Sequence, residues 1–247
     1  MVQGSRRAGL ADATLVRLLA RLTDLDVRES PQRFADRLSD WLRWTDAMSL
    51  FTALQDSPAH GAATHAPAPA EPPVDDPEAS RIRSQLVESL DEDGPWMPEI
   101  PSPRARAHQR TTTPLPVLET KTEFAPYRRH YQGRQIAMGN AIEPLRARLR
   151  TRLAARSPDM AALAAVDEVM ERVLGEHEHR LLAALPALLE RRFARLRAAA
   201  EAEPQAWSGW LDAFHQELQA VLAAELELRW QPIEGLLAAL HTQHDHA

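Results

Sequence analysis

The sequence contains no cysteine, which excludes disulfides, thiolate metal sites and a cysteine nucleophile. Lysine is almost absent as well, because Lys121 is the only one among 29 basic residues. Only nine glycines occur in 247 residues, and Gly133 and Gly139 lack the spacing of a phosphate-binding loop. Aromatic residues make up 5% and runs of β-branched residues are missing, whereas leucine and alanine are abundant. This composition predicts an all-α protein.

Long apolar runs and export signals are missing too. No stretch of about 18 apolar residues is present, so we expect no membrane span. Ser5-Arg6-Arg7 resembles the start of a twin-arginine export signal, but Asp12 and Arg17 interrupt the apolar stretch that should follow. We therefore expect a cytoplasmic protein, which the lack of cysteine suits. The net charge of -6 gives no general reason to expect nucleic acid or anionic lipid as a partner.

Two amphipathic helices are predicted in residues 10–55. Leucines recur at three- and four-residue steps along 11–28, and Ser30-Pro31 supplies a cap and a first-turn proline for a second helix over 31–55. The apolar side of that second helix comprises Phe34, Leu38, Trp41, Met48 and Phe51. The two helices would form an N-terminal hairpin. Its core is small, so we expect it to dock on another part of this chain or on another chain.

Residues 56–118 change in composition. Residues 57–77 are rich in Ala, Pro, His and Asp, and residues 94–118 are rich in Pro, so we expect most of this linker to be disordered. A short amphipathic helix is predicted between them, over 78–92, with Ile82, Leu86 and Leu90 on one face.

Three long helices are predicted in residues 119–247. Pro126, Ser157-Pro158 and Glu203-Pro204 mark their starts, and the helices extend to about residues 156, 200 and 242. Pro144, Pro186 and Pro232 fall inside these patterns, where we expect them to kink the helices and not to end them. Short connections favour antiparallel neighbours, hence a coiled-coil-like C-terminal bundle of three helices.

Charge is distributed unevenly in this bundle. Residues 124–156 carry eight arginines and one acid, whereas residues 204–247 carry six acids and one arginine. A basic helix face can bind phosphates, but arginines can also pair with acids inside a bundle. We favour pairing within the bundle and expect Arg146, Arg150 and Arg156 to point towards acids of the last helix. The acids expected there are Glu217, Glu225 and Glu227.

Tryptophan and arginine also suggest an interaction surface, because both are enriched where proteins anchor partners. Trp41 and Trp44 cannot fully share one helix face, and Trp96 has no local element in which to pack. Trp207 and Trp210 stand at the start of the last predicted helix, where large aromatics are more often core residues, and that alternative stays open. The candidate interaction surface comprises Arg128, Arg129, Arg146, Arg150, Trp41, Trp44 and Trp96.

Evidence for catalytic or metal-binding residues is thin. Glu176 and His179 have the Glu-x-x-His spacing of di-iron bundles, but no second copy of the motif occurs. Asp167, Glu168 and Glu171 share a helix side, a spacing that is also common on solvated faces. We therefore predict no enzyme activity, no cofactor and no metal.

Two stretches resemble a proteobacterial family of uncharacterised helical proteins, a domain of unknown function. The first contains Leu15–Ala20, Phe34–Leu38 and Trp41–Ala47, and the second contains Phe124–Tyr131, Pro144–Arg146 and Pro186–Phe193. The resemblance carries over no activity, cofactor or site residue. Relatives encoded beside envelope proteins of the proton-channel and peptidoglycan-anchor type would imply a cytosolic accessory to a membrane machine.

These observations favour a cytosolic, non-enzymatic helical scaffold or adaptor, in which an unknown protein or a second copy of the chain is the partner. The alternative is a nucleic-acid-binding regulator that uses the Arg-rich helix over 124–156. No membrane span is expected in either case.

Overall fold

A computed structural model of the protein describes residues 14–23, 34–42, 44–55, 76–91, 123–202 and 207–241. Within these ranges every regular element is an α-helix and no strand is present, so the all-α prediction is confirmed. We number the helices in chain order. They are α1 (Thr14–Thr23), α2 (Phe34–Trp41), α3 (Trp44–Gln55), α4 (Pro77–Asp91), α5 (Ala125–Ala154), α6 (Pro158–Leu182), α7 (Leu185–Ala202) and α8 (Trp207–His241).

The long helices form an up–down–up bundle, as the short connections predicted. α5 runs in one direction, α6 and α7 return along it, and α8 runs parallel to α5. Contacts fix these directions, since Gln135 of α5 bonds to Leu182 of α6, whereas Tyr127 and Arg156 bond to His215 and Leu240 of α8. Helices α5 and α8 continue through Pro144 and Pro232, so neither proline ends its helix. The predicted long C-terminal helical region is confirmed.

The start of α6 follows from its sequence. The side chain of Ser157 accepts a hydrogen bond from the backbone N–H of Met160 at 3.3 Å, and Pro158 occupies the first turn. Proline suits that position because its missing N–H would have no partner there. The predicted cap and proline are both confirmed.

The middle segment of the bundle, residues 158–202, differs from the prediction. One kinked helix was expected over 158–200, but α6 ends at Leu182 and α7 begins at Leu185, so the interpretation of Pro186 as a kink is wrong. Pro186 has no N–H to donate to the carbonyl of Leu182 four residues earlier. That carbonyl instead accepts a hydrogen bond from Nε2 of Gln135 at 3.0 Å. A side chain of α5 therefore replaces the missing helical hydrogen bond, which allows the chain to break there.

The core centres on α5 and α8, and α1, α4, α6 and α7 contribute further buried side chains to it. Leu145, Leu149 and Leu153 form the buried stripe of α5, as predicted. An aromatic cluster closes one end of the bundle, where Phe193 of α7 lies 5.0 Å from Phe214 and 5.1 Å from Trp210, measured between ring centroids. Burial of large apolar and aromatic side chains is the main favourable term in folding, so this core fixes the bundle.

The N-terminal helices dock on the bundle. α1 packs on α8 and α7 through Leu15 and Leu22, and α3 packs on α6. The sequence left docking on the same chain or on another chain open, and α1 and α3 contact the bundle of the same chain. The hairpin of these helices stays a prediction. The single helix expected over 31–55 is wrong, because helical structure stops at Trp41 and resumes at Trp44. Trp41 at the end of α2 also contacts α6, through His177.

Helix α4 begins close to its predicted position at residue 78. The carboxylate of Asp76 caps it by accepting hydrogen bonds from the backbone N–H groups of Glu78 at 3.1 Å and Ala79 at 3.0 Å. Burial raises the pKa of Asp76, but hydrogen bonds from Arg152 and from these two N–H groups outweigh it and hold the pKa below its usual value. The parts of the predicted disordered linker at residues 56–75 and 92–118 lie outside the described residues.

Candidate interaction surfaces of the bundle

Two of the four candidate arginines are engaged inside the bundle. Arg146 makes a bidentate contact with Asp167 of α6, with Nε at 2.9 Å and Nη2 at 2.7 Å from the two carboxylate oxygens. Arg150 reaches Asp167 at 3.1 Å and also pairs with Glu171. Burial lowers the pKa of Arg150, but the hydrogen bonds and charges of Glu171 and Asp167 outweigh it, so the pKa lies above its usual value. Both arginine side chains are largely buried, so this part of the basic helix is not a free cationic face.

The other two candidate arginines lie nearer the start of α5. Arg128 pairs with Glu190 of α7, and its guanidinium carbon lies 5.6 Å from the centroid of the Phe124 ring. Arg129 is exposed, and no ion pair of Arg129 forms within the described ranges. The structure therefore separates Arg128 and Arg129 from Arg146 and Arg150 along α5.

The predicted pairing of the basic helix with the acids of the last helix is wrong. Glu217 pairs with Arg192 of α7 at 2.6 Å, and Glu227 pairs with Arg83 of α4 at 2.7 Å. Arg156 does reach α8, but it donates to the backbone carbonyl of Leu240 at 2.6 Å. The reason is geometric, since α5 and α8 meet through their apolar stripes and their charged side chains point sideways to α4, α6 and α7.

Glu225 of α8 is the one acid of the predicted three that does contact α5, and it is fully buried there. Its carboxylate accepts hydrogen bonds from Tyr131 Oη at 2.6 Å, Gln135 Nε2 at 3.1 Å and Arg229 Nε at 2.9 Å. Nε2 of Gln135 also donates a hydrogen bond to the carbonyl of Leu182. One polar network therefore joins α5 and α8 to the break between α6 and α7. A buried charge needs such full satisfaction to be tolerated. The partners of Glu225 differ from the arginines of α5 that the charge pattern predicts, because pairing across helices depends on how the helices are rotated.

Both tyrosines of the chain lie in this part of the core. Burial raises the pKa of Tyr127 to about 12, and its hydroxyl lies 3.0 Å from Nε2 of His215. Burial and the neighbouring carboxylate of Glu225 raise the pKa of Tyr131 well above its usual range. Neither ring is available to stack on a nucleic-acid base, the role that a basic groove would give it.

The tryptophans occupy different environments. Trp41 is half-buried and stacks on His177 of α6, with ring centroids 4.3 Å apart and planes at 23°. Trp44, only three residues later, is 80% exposed. The expectation that Trp41 and Trp44 cannot fully share one face therefore agrees with their positions. Trp96 lies outside the described residues.

The exposed face of α3 is the main surface that sequence analysis missed. Met48 and Phe51 were predicted on the apolar side that faces a core, but they are 47% and 54% exposed, and Leu54 is 53% exposed. The other exposed large apolar side chains of the described ranges are isolated, with Val87 on α4, Ile136 on α5, and Leu163 and Leu181 eighteen residues apart on α6. We call the surface formed by Trp44, Met48, Phe51 and Leu54 the α3 face. The available indication in the sequence was that Asp46 is the only charged residue in residues 44–55.

A groove of about 490 Å³ runs between α4 and α5. Its floor is apolar, with Ile82, Leu86 and Pro144, and Arg134 and Arg148 stand at its edges. Arg148 pairs with Glu78 across the two helices. Within the described ranges no three His, Asp or Glu side chains come together as a metal site would require.

The fold and these surfaces define an all-α bundle in which many arginines pair with acids of neighbouring helices and whose α3 face is apolar and exposed. The chain belongs to the family described as "Protein of unknown function (DUF3348)", whose model matches residues 1–242. No curated protein and no solved structure matches the chain. None of the helices described here is both long enough and apolar enough to cross a membrane.

Proposed function

We propose that this protein is a non-enzymatic helical scaffold or adaptor that acts through protein–protein contacts made by the α3 face. The observation that carries the proposal is the exposure of four large apolar side chains on one helix of twelve residues. Scattered exposed apolar residues are normal on a monomer, but contiguous patches mark interaction sites.

The charge distribution around α3 supports a contact surface. Charged residues make up 26% of the chain, but Asp46 is the only one in α3. Asp46 is buried against α6, where its carboxylate lies 3.5 Å from Nε of Arg172. The exposed side of α3 therefore carries no charge, as is typical of the centre of a protein–protein interface.

The acids of α6 support a non-enzymatic role. Asp167 and Glu171 have a spacing that paired catalytic carboxylates could use, but both accept hydrogen bonds from Arg146 or Arg150. General acid–base catalysis needs a carboxylate that can reach a substrate, whereas the oxygens of these two acids are taken up by the guanidinium groups of α5. These pairs are better explained as ties between α5 and α6.

Nucleic-acid binding is the competing function, and it would use the same arginines. Arg128, Arg146, Arg148, Arg150 and Arg152 all pair with acids of the chain. Binding phosphates would require breaking these pairs, which favours the scaffold. We expect binding to random duplex DNA to be weak and to show little salt dependence. A steep loss of affinity with salt would instead indicate several phosphate contacts and favour the regulator.

Affinity capture from native cells tests the scaffold directly. The tagged wild-type chain is compared with Phe51→Lys, which places a charge in the α3 face, and with Thr52→Lys, which places the same charge on the adjacent exposed residue. We expect Phe51→Lys to lose captured proteins, untagged copies of the chain included, and Thr52→Lys to retain them. Identical capture by all three would refute a role for the α3 face. The accessory role beside an envelope complex stays a prediction from the family resemblance alone.

A further inference from the structure

We propose that the partner of the α3 face is α3 of a second copy of this chain, packed antiparallel about a two-fold axis level with Ser49. This inference rests on the proposed function, because it names the partner that the α3 face binds. It is carried by the spacing, size and charge of the exposed side chains of α3.

The exposed residues of α3 follow a seven-residue repeat. Trp44 and Phe51 are seven residues apart, and so are Ala47 and Leu54. All four are exposed. Trp44 and Phe51 thus occupy one position of a heptad, and Ala47 and Leu54 occupy the other apolar position, three residues later. Such a repeat is the seam along which two helices pack in a coiled coil. In α3 this seam faces outward, because the opposite side of the helix, with Asp46, packs on α6.

Side-chain size selects the antiparallel arrangement. With the axis level with Ser49, Ala47 lies opposite the partner's Phe51, and Trp44 lies opposite the partner's Leu54. Each layer then combines a larger side chain with a smaller one, which fills space evenly as a close-packed interior requires. A parallel pair would place Trp44 on Trp44 and Ala47 on Ala47, so that crowded and empty layers alternate. The arrangement is also isologous, as two-fold dimers are.

Electrostatics permits this self-association. The exposed side of α3 carries no charge, so two copies meet without repulsion between like charges. The antiparallel arrangement also places the positive end of each helix dipole beside the negative end of the other. A charged partner surface would gain nothing from an uncharged face, whereas the same face on a second copy matches it.

The area available indicates a weak dimer. An aromatic side chain has a surface of about 200 Å². With the exposed fractions of its four side chains, the α3 face has on the order of 450 Å² of exposed surface per copy. A two-fold pair would bury roughly 900 Å² in total, close to the lower limit of about 1,000 Å² for specific interfaces. A free helix of this length would be marginal in water, but α3 is already ordered by its packing on α6. We therefore expect a dimer that dissociates on dilution.

Sedimentation equilibrium of the full chain tests the proposal, since it reports mass as a function of concentration. We expect wild type to approach twice the monomer mass of 27.6 kDa as the concentration rises. Phe51→Lys should remain at the monomer mass, with dimerisation weakened about tenfold or more. Thr52→Lys, a matched charge outside the repeat, should dimerise as wild type does. Unchanged far-UV circular dichroism would show that each variant keeps its helices.

A mixing experiment tests the antiparallel register. Ala47→Glu and Phe51→Lys should each be monomeric alone, because each places charges opposite apolar side chains. Mixed together they should form a heterodimer, in which Glu at 47 of one copy meets Lys at 51 of the other and the second such layer stays native. Failure of the mixture to dimerise would overturn the register.

Other outcomes separate this inference from the proposed function. A wild-type chain that stays monomeric up to its solubility limit, or a Phe51→Lys variant that dimerises normally, would overturn the second copy as partner. If Phe51→Lys nevertheless loses capture of a different protein, the scaffold function of the α3 face stands without the dimer. If Phe51→Lys changes neither mass nor capture, both proposals fail.

Discussion

Replacing Arg229 with methionine should destabilise the fold far more than the same replacement at Arg197. Both arginines form an ion pair one helical turn from a glutamate, at 2.9 Å for Arg229 with Glu225 and 2.8 Å for Arg197 with Glu201. The pairs differ in burial, since the Glu225 side chain is 0% exposed and that of Glu201 is 52% exposed. The comparison therefore sets an arginine in a buried polar network against one in an exposed pair.

The expected magnitudes follow from that difference. Removing one partner of a buried pair leaves an uncompensated charge and costs about 3–5 kcal/mol. Because Tyr131 and Gln135 still donate to Glu225 after the change, we expect a loss of about 3 kcal/mol for Arg229→Met. An exposed pair one turn apart contributes about 0.3–0.5 kcal/mol, so Arg197→Met should lower stability by no more than that.

Urea denaturation followed by far-UV circular dichroism measures both free energies of unfolding. Combining Arg229→Met with Glu225→Gln should recover a large part of the loss, because the buried charge is then gone and an amide oxygen still accepts from Tyr131. Arg229→Met, Glu225→Gln and the double variant form a double-mutant cycle that yields the coupling energy between these two residues. Equal losses for Arg229→Met and Arg197→Met would refute the argument that burial makes the Glu225 network important.

The core, a helix cap and the two tyrosines give further predictions. Leu149→Ala should lower the free energy of unfolding by about 2–5 kcal/mol, because Leu149 is buried. Ile136→Ala on the exposed side of α5 should change it by no more than about 0.5 kcal/mol. Equal losses would mean that the stripe with Leu149 is not part of the core. Asp76→Ala should cost about 1 kcal/mol at neutral pH. Because the pKa of Asp76 is lowered on folding, the stability difference between wild type and Asp76→Ala should shrink as the pH falls below 3.8. Thermal melts across that range measure it, and a constant difference would contradict the cap. The raised pKa values of Tyr127 and Tyr131 mean that their stabilisation is complete below pH 10, and that of Tyr127 is lost as the pH rises from 10 to about 12. Absorbance should then show no tyrosinate near pH 10 until the chain unfolds, and a normal titration of the native protein would show that the rings are exposed.

The position of most helices could be predicted from the sequence, because caps, prolines and apolar periodicity act within a few residues. Ser157-Pro158 is an example, since the hydroxyl bonds to an N–H only three residues away. Pro186 shows the limit of local information. A proline in a helical pattern permits a kink or an end, and Gln135 of a different helix decides between them by bonding to the carbonyl of Leu182.

The candidate surface was predictable only in part. Trp44 was identified from its residue type, and its exposure agrees with a role in interaction. Met48 and Phe51 were assigned to a core, because an apolar stripe looks the same in sequence whether it faces a core or water. Their exposure arises from the packing of α3, which turns the side with Asp46 towards α6.

The all-α class, the positions of most helices and the presence of internal charge pairs could be inferred from the sequence alone, since they follow from composition and local periodicity. Tertiary structure decided which acids the arginines meet, where the N-terminal helices dock and which face of α3 stays exposed. These depend on how each helix is rotated and placed against its neighbours, and that is fixed by the packing of side chains far apart in the sequence. Arg146 and Arg150 illustrate this division, because their charge was evident but their partners on α6 were not.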